Sequence, residues 1–206
     1  MRGVALVLWM VAGPVSADLM PALHDVTGVA IGDVLNVRAE PRADSPIIGR
    51  LNPTARGIEV TALSADGRWG RVNDEETAGW AAVRFLARQP RPDWTAMQTR
   101  MICSGTEPFW SMPVDAARGQ GDLSRMGEGS WRLRIDWTAP VHGRIGEIGL
   151  GLAGDGVSGV ATLTGETCSD GMSDRISGIA IRLFLIDPTG GAARTQGLGG
   201  CCSLVP

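Results

Sequence analysis

Four cysteines, all between residues 103 and 202, constrain the fold of the chain more than any other feature. Cys103, Cys168, Cys201 and Cys202 are the only cysteines among the 206 residues. Four cysteines can form two disulfides in three ways. One way joins the neighbours Cys201 and Cys202 in a strained ring, whereas a usual disulfide separates the Cα atoms by about 4.4 to 6.8 Å. The residues therefore predict that Cys103 and Cys168 each bond one member of the terminal pair, and they leave open which.

The N-terminal segment predicts that these cysteines are oxidised. Residues 1–17 combine an early Arg2, an apolar run from Val4 to Ala12 and a Val-Ser-Ala ending. This order is typical of a secretory signal peptide, and the apolar run is too short to span a bilayer. We expect cleavage after Ala17, no transmembrane span in the mature chain, and export to the periplasm or the exterior, where disulfides persist.

The hydrophobic pattern predicts an all-β protein. Short apolar stretches bounded by turn residues recur in residues 25–88, the first of them at residues 26–31, and this spacing favours a small β-barrel. Strands resume in residues 100–206. The clearest lies at residues 130–137, where Trp131, Leu133, Ile135 and Trp137 are expected to share the buried face.

A linker is expected between the two segments, at residues 89–99. Pro90 and Pro92 interrupt the strand pattern there. Asp93 is placed to cap a short helix with Trp94, Met97 and Met101 on one side.

The first segment resembles a bacterial SH3 domain. The resemblance covers about 60 residues, and it implies an SH3-like barrel that binds cell-wall peptides or glycans. The blocks that carry it occur in the order Leu35-Asn36-Val37-Arg38, Glu40-Pro41, Ile47-Ile48-Gly49-Arg50-Leu51, Gly57-Ile58-Glu59-Val60, Gly67-Arg68-Trp69-Gly70-Arg71-Val72, Gly79-Trp80-Ala81 and Phe85-Leu86.

Two tryptophans of this segment have two interpretations. Trp69 and Trp80 beside Asn36 and Arg38 could form a groove with a flat apolar wall and a few polar groups, which suits a peptide or sugar. Alternatively, both rings fill the core of a barrel that is too small to be stable without them. The sequence favours the core interpretation of the two tryptophans. For a ligand of this domain, the predicted site is Asn36, Arg38, Trp69 and Trp80.

The second segment resembles a family of uncharacterised exported bacterial proteins, often lipoproteins. The similarity lies in an opening at Cys103 to Ser111, a middle at Cys168 to Asp174 and an ending at Gly200 to Cys202. It implies a second small antiparallel β-barrel with no known activity. It also implies that Cys168 bonds Cys201 and that Cys103 bonds Cys202. Family members usually have an aromatic-proline pair where Ile176-Ser177 stands here.

The second segment offers a weak basis for catalysis. His142 is its only imidazole, and no nucleophile motif accompanies it. Carboxylate pairs such as Glu107 with Asp170 could act only if the fold brings them close together. The spacing of the acidic residues predicts no metal or cofactor site, since Asp-Gly and Ser-Asp clusters are usually turns. The candidate site in this segment is Glu107, Trp110, Asp170, Asp174 and Arg175.

These observations predict a non-enzymatic protein of the cell envelope. The formal charge of -3 is spread evenly, so a nucleic-acid partner is not expected. The leading function is binding of peptidoglycan or a peptide by the first domain. One alternative is an envelope hydrolase or hydrolase inhibitor that the first domain targets. The other is a structural module that binds an envelope protein.

Overall fold

The computed structural model describes residues 19–187 and 194–206, and the predicted signal peptide at residues 1–17 lies outside them. The described residues are almost entirely β, as predicted, and contain three short 3₁₀ turns but no α-helix. The strands are β1 (Ala22–Val26), β2 (Leu35–Arg38), β3 (Ile47–Leu51), β4 (Ile58–Val60), β5 (Ala62–Leu63), β6 (Trp69–Asp74), β7 (Thr77–Ala82), β8 (Leu86–Arg88), β9 (Met101–Thr106), β10 (Phe109–Asp115), β11 (Gln120–Arg125), β12 (Gly129–Pro140), β13 (Glu147–Gly154), β14 (Val157–Thr164), β15 (Ile179–Asp187) and β16 (Arg194–Leu204).

The first barrel consists of two small antiparallel sheets. One has the strand order β4-β1-β8, and the other has the order β3-β2-β7-β6-β5. The predicted strand at residues 26–31 is wrong, because β1 ends at Val26 and residues 27–34 form a loop. The two sheets enclose a compact apolar core of Val26, Leu35, Val37, Leu51, Val60, Val72, Ala81 and Leu86.

The second barrel is a closed ring of eight antiparallel strands in the order β10-β11-β12-β13-β14-β15-β16-β9. Side chains alternate between the inside and the outside of the barrel along each strand. Ile148, Leu150 and Leu152 of β13 face inward, as do Ile181 and Leu183 of β15. Closure leaves no unpaired sheet edge, and the inward rows form a continuous core.

A β-bulge corrects one sequence prediction. The register of β12 against β13 shifts between Ile135 and Trp137. Because one extra residue reverses the side on which later side chains lie, Trp137 is on the outer face and half exposed rather than in the core. Its ring covers Gly149 and Gly151, where an added Cβ at Gly151 would lie 2.0 Å from the Trp137 indole nitrogen.

The linker contains a 3₁₀ turn, Trp94–Ala96, rather than the predicted capped helix. Asp93 makes no side-chain capping bond and instead pairs with Arg88 at 2.6 Å. Trp94 and Met97 are nonetheless buried, and both belong to the core of the second barrel. The Trp94 ring lies against Gly165, just past the end of β14. The linker therefore closes one end of the second barrel.

Two disulfides link β16, the C-terminal strand, to earlier segments of the second barrel. Cys103 bonds Cys202, and Cys168 bonds Cys201. This is the pairing that the resemblance implied. The adjacent cysteines of β16 reach different partners because neighbouring side chains on a strand point to opposite faces.

The segment that follows Cys168 contacts the first barrel. The Asn73 side chain donates to the carbonyl of Ile176 and accepts from its backbone N–H, both at 2.9 Å. The backbone N–H of Ala78 donates to the Asp174 carbonyl at 3.1 Å, and Thr77 forms a parallel β-bridge with Asp174. Backbone groups of the two barrels are therefore paired directly.

Candidate functional site

A groove runs along the first barrel beside Trp69. Its first cleft has a volume of about 420 Å³ and is bounded on one side by the loop at residues 28–34. A second cleft of about 560 Å³ adjoins it and shares Trp69 and Arg84. We call the two together the Trp69 groove, and its first cleft includes the predicted residues Asn36 and Arg38.

Trp69 is a groove residue and not a core residue. In β6, Gly70 and Val72 face the interior, whereas Trp69 and Arg71 face outward and are partly exposed. The core of this barrel contains neither Trp69 nor Trp80. The prediction that both rings fill the core is therefore wrong, because aliphatic side chains and Ala81 occupy that space.

Trp80 shares the outer face but does not line the groove. It lies opposite Arg38 on one side and Arg71 on the other. The Arg71 guanidinium carbon is 6.0 Å from the centre of the indole ring, which permits a cation–π contact. Arg71 also donates to the Thr167 hydroxyl of the second barrel at 3.0 Å. Trp80 thus lies between the groove and the contact of the two barrels.

The groove has a cationic character. Arg38 donates to the carbonyl of Ser45 at 2.7 Å, and Arg84 lies 4.7 Å from the centre of the Phe85 ring. Within the described part of the chain, neither arginine forms an ion pair. Among the described residues that line the first cleft, Asp33 is the carboxylate, and it accepts from the backbone N–H of Val34. Arg42 and Arg68 also line the groove, but both are ion-paired with neighbouring carboxylates. Arg38 and Arg84 are therefore the guanidinium groups available to a ligand.

Three of these groove residues, Asp33, Arg84 and Phe85, were not among the predicted ligand residues. Arg84 and Phe85 belong to the 3₁₀ turn Val83–Phe85. Asp33 belongs to the loop that replaces the first predicted strand. The Gly-Asp dipeptide at residues 32–33 is a turn signal that could have indicated the loop.

A comparison with protein families decides the identity of the first barrel. Residues 33–87 match the model for the bacterial SH3 domain. This part of the chain is a bacterial SH3 domain. The match covers most of the Trp69 groove. The comparison with curated proteins found no match to the chain.

The candidate residues of the second barrel do not form one site. Asp174 and Arg175 lie against the SH3 domain, where Arg175 donates to the Glu75 carbonyl. Trp110 is buried in the core and donates to the Gly199 carbonyl at 3.1 Å. Cys168 is in a disulfide and offers no thiol, while His142 is exposed in a turn.

Asp170 and Trp110 do share a cleft on the side of the second barrel. We call this the side cleft; it has a volume of about 770 Å³. Three exposed apolar side chains also line it, namely Phe109, Met126 and Met172. Glu107 is absent from its lining, so the structure does not bring Glu107 and Asp170 together in this cleft.

Within residues 19–187 and 194–206, no helix has the length and hydropathy needed to cross a bilayer.

Proposed function

We propose that this chain is an exported cell-envelope protein whose SH3 domain binds the stem peptides of peptidoglycan in the Trp69 groove. The observation that carries the proposal is the position of Trp69, outside the core and in the wall of a groove between Arg38 and Arg84. The family match supports a role in binding proteins or the cell wall.

The chemistry of the groove fits a peptide with free carboxylates. Stem peptides carry such groups, and arginine forms its strongest hydrogen bonds with carboxylates. The indole of Trp69 and the ring of Phe85 supply flat apolar surface for the peptide backbone and its aliphatic side chains. The second barrel contacts the SH3 domain through the bond from Ala78 to Asp174 and the hydrogen bonds of Asn73, so it would be held at the wall.

The proposal predicts that the full chain, with its disulfides formed, sediments with purified peptidoglycan. Trp69→Ala should weaken this binding by about tenfold or more, because aromatic anchors commonly dominate a binding surface. Arg84→Gln should weaken it as well, by removing the guanidinium group that faces the ligand. Apparent dissociation constants from co-sedimentation measure both effects.

Arg50→Gln is the matched control. Arg50 is an exposed arginine of β3 that does not line the groove, so its replacement should leave binding unchanged. Glycan strands from which an amidase has removed the stem peptides should no longer bind. Equal losses in the Arg50 and Arg84 variants, or undiminished binding to bare glycan strands, would contradict a stem-peptide site in the groove.

A further inference from the structure

The two ends of the second barrel differ. The linker covers one end, where β14 finishes and β9 begins. At the opposite end, Arg125 is the last residue of β11 and Val157 is the first residue of β14. A cavity of about 340 Å³ lies at this second end, which we call the barrel mouth.

The walls of the barrel mouth combine an apolar side with a polar one, and the polar side consists of Arg125, Glu128, Asp187, Thr195 and Gln196. Val157 and Leu185 are buried and continue the barrel core, and the half-buried Trp131 packs against it. Eight-stranded barrels have an interior just wide enough for side chains or for one small ligand. The volume of the mouth is at the lower end of the range for small-molecule sites.

One charged side chain is buried in this wall. Arg125 occupies an inward position of β11, and its side chain is only 7% exposed. Its Nη2 donates to the Glu128 carboxylate at 2.6 Å. Its Nε is buried and has no hydrogen-bond partner within the described part of the chain. Buried polar groups are almost always hydrogen-bonded, so the guanidinium of Arg125, whose side chain lines the mouth and also the side cleft, has room for a further acceptor.

The side chains around Arg125 limit what that acceptor can be. Glu128 and Asp187 also line the mouth, so a doubly charged anion would meet two carboxylates. A single carboxylate needs only the one unpaired N–H. The apolar walls of Trp131, Val157 and Leu185 then suit an aliphatic or aromatic body attached to it.

We propose that the barrel mouth binds a small monocarboxylate, with its charged group on Arg125 and its apolar body against Trp131 and Leu185. This site is separate from the Trp69 groove, so it would operate whether or not the SH3 domain binds the cell wall. It assigns a ligand class to the second barrel.

Octanoate and 1-octanol form a matched pair of probes, since they share a chain length and differ in charge. Calorimetry on the full, oxidised chain at neutral pH should show saturable binding of octanoate and at least about tenfold weaker binding of octanol, because the carboxylate gains a charge-assisted hydrogen bond. In nuclear magnetic resonance spectra, the indole N–H of Trp131 should shift on titration. The indole N–H signal of Trp69 in the SH3 domain should not.

Arg125→Met should abolish the difference in affinity between octanoate and octanol, while Arg132→Met should preserve it. Arg132 is a suitable control because it is an exposed arginine of the neighbouring strand that pairs with Asp122 on the outside of the barrel. Arg125→Met should also leave the melting temperature unchanged or raise it, since Glu128 is partly exposed and needs no buried partner. Equal binding of octanol and octanoate would overturn the proposal. So would a large loss of stability in Arg125→Met, which would make Arg125 a structural residue.

Discussion

Replacing Cys103 and Cys202 together by alanine is expected to lower the free energy of unfolding of the second barrel by about 5 kcal/mol on the chain-entropy model of disulfide stabilisation. The bond closes a loop with a sequence separation of 99, which spans nearly the whole barrel from β9 to β16. Without it, the unfolded chain gains the freedom that the closed loop had removed. Hydrogen exchange of amides in β13 and β14 measures the change in the second barrel independently of the SH3 domain.

The second disulfide supplies the internal comparison. Cys168 and Cys201 have a sequence separation of 33, so the double alanine variant should lose about 1 kcal/mol less on the same model. The effects should not add in the quadruple variant, because the smaller loop is nested in the larger one. A larger loss for the Cys168–Cys201 pair would show that this bond acts mainly in the folded state, by holding the segment that contacts the SH3 domain.

The sequence predicted most of the architecture because the relevant signals are local. Alternation along the chain and regular turn residues predict two antiparallel β units, and the family resemblance implied the disulfide pairing that the structure contains. The bulge between Ile135 and Trp137 could not be predicted, since apolar and polar residues continue to alternate in the sequence across it. It decides whether Trp137 lies inside or outside.

The functional surfaces were harder to predict because they depend on distant contacts. Trp69 was expected in the core by an argument from barrel size, yet smaller side chains fill that core. Asp174 and Arg175 suggested a ligand site, but their neighbours in space are residues of the SH3 domain. Arg125 is two residues after Leu123, so alternation places both side chains on one face of β11. The closed barrel shows that this face is the inner one.

The contact between the two barrels contains a carboxylate with an unusual environment. Glu59 of β4 in the SH3 domain accepts a hydrogen bond from the backbone N–H of Leu204 at 2.8 Å. Burial raises the pKa of Glu59 to about 7, although hydrogen bonds from Leu204 and Ser203 and the charge of Arg175 act in the opposite direction. Loss of hydration therefore outweighs the groups that favour the charged form.

The stability of the protein should consequently fall as pH rises from about 5 to 8. Because the pKa of Glu59 is 4.5 in a model peptide and about 7 in the folded protein, the folded state binds more protons than the unfolded state between these values. The free energy of unfolding then decreases through this window, by up to about 3 kcal/mol for a shift of this size. Urea denaturation at a series of pH values measures the slope.

Glu59→Gln separates this effect from other titrations. Glutamine keeps an oxygen that can accept from Leu204 and carries no charge. The free energy of unfolding of the variant should therefore change little between pH 5 and 8, and it should exceed that of the parent protein at pH 8. Asp25→Asn is the contrasting control. Hydrogen bonds, chiefly from Gln89, lower the pKa of Asp25, so its contribution is lost only as pH falls into the acid range. An unchanged slope between pH 5 and 8 in Glu59→Gln would show that this carboxylate is solvated in solution, and the contact between the barrels would then be looser around β4 than the hydrogen bond to Leu204 implies.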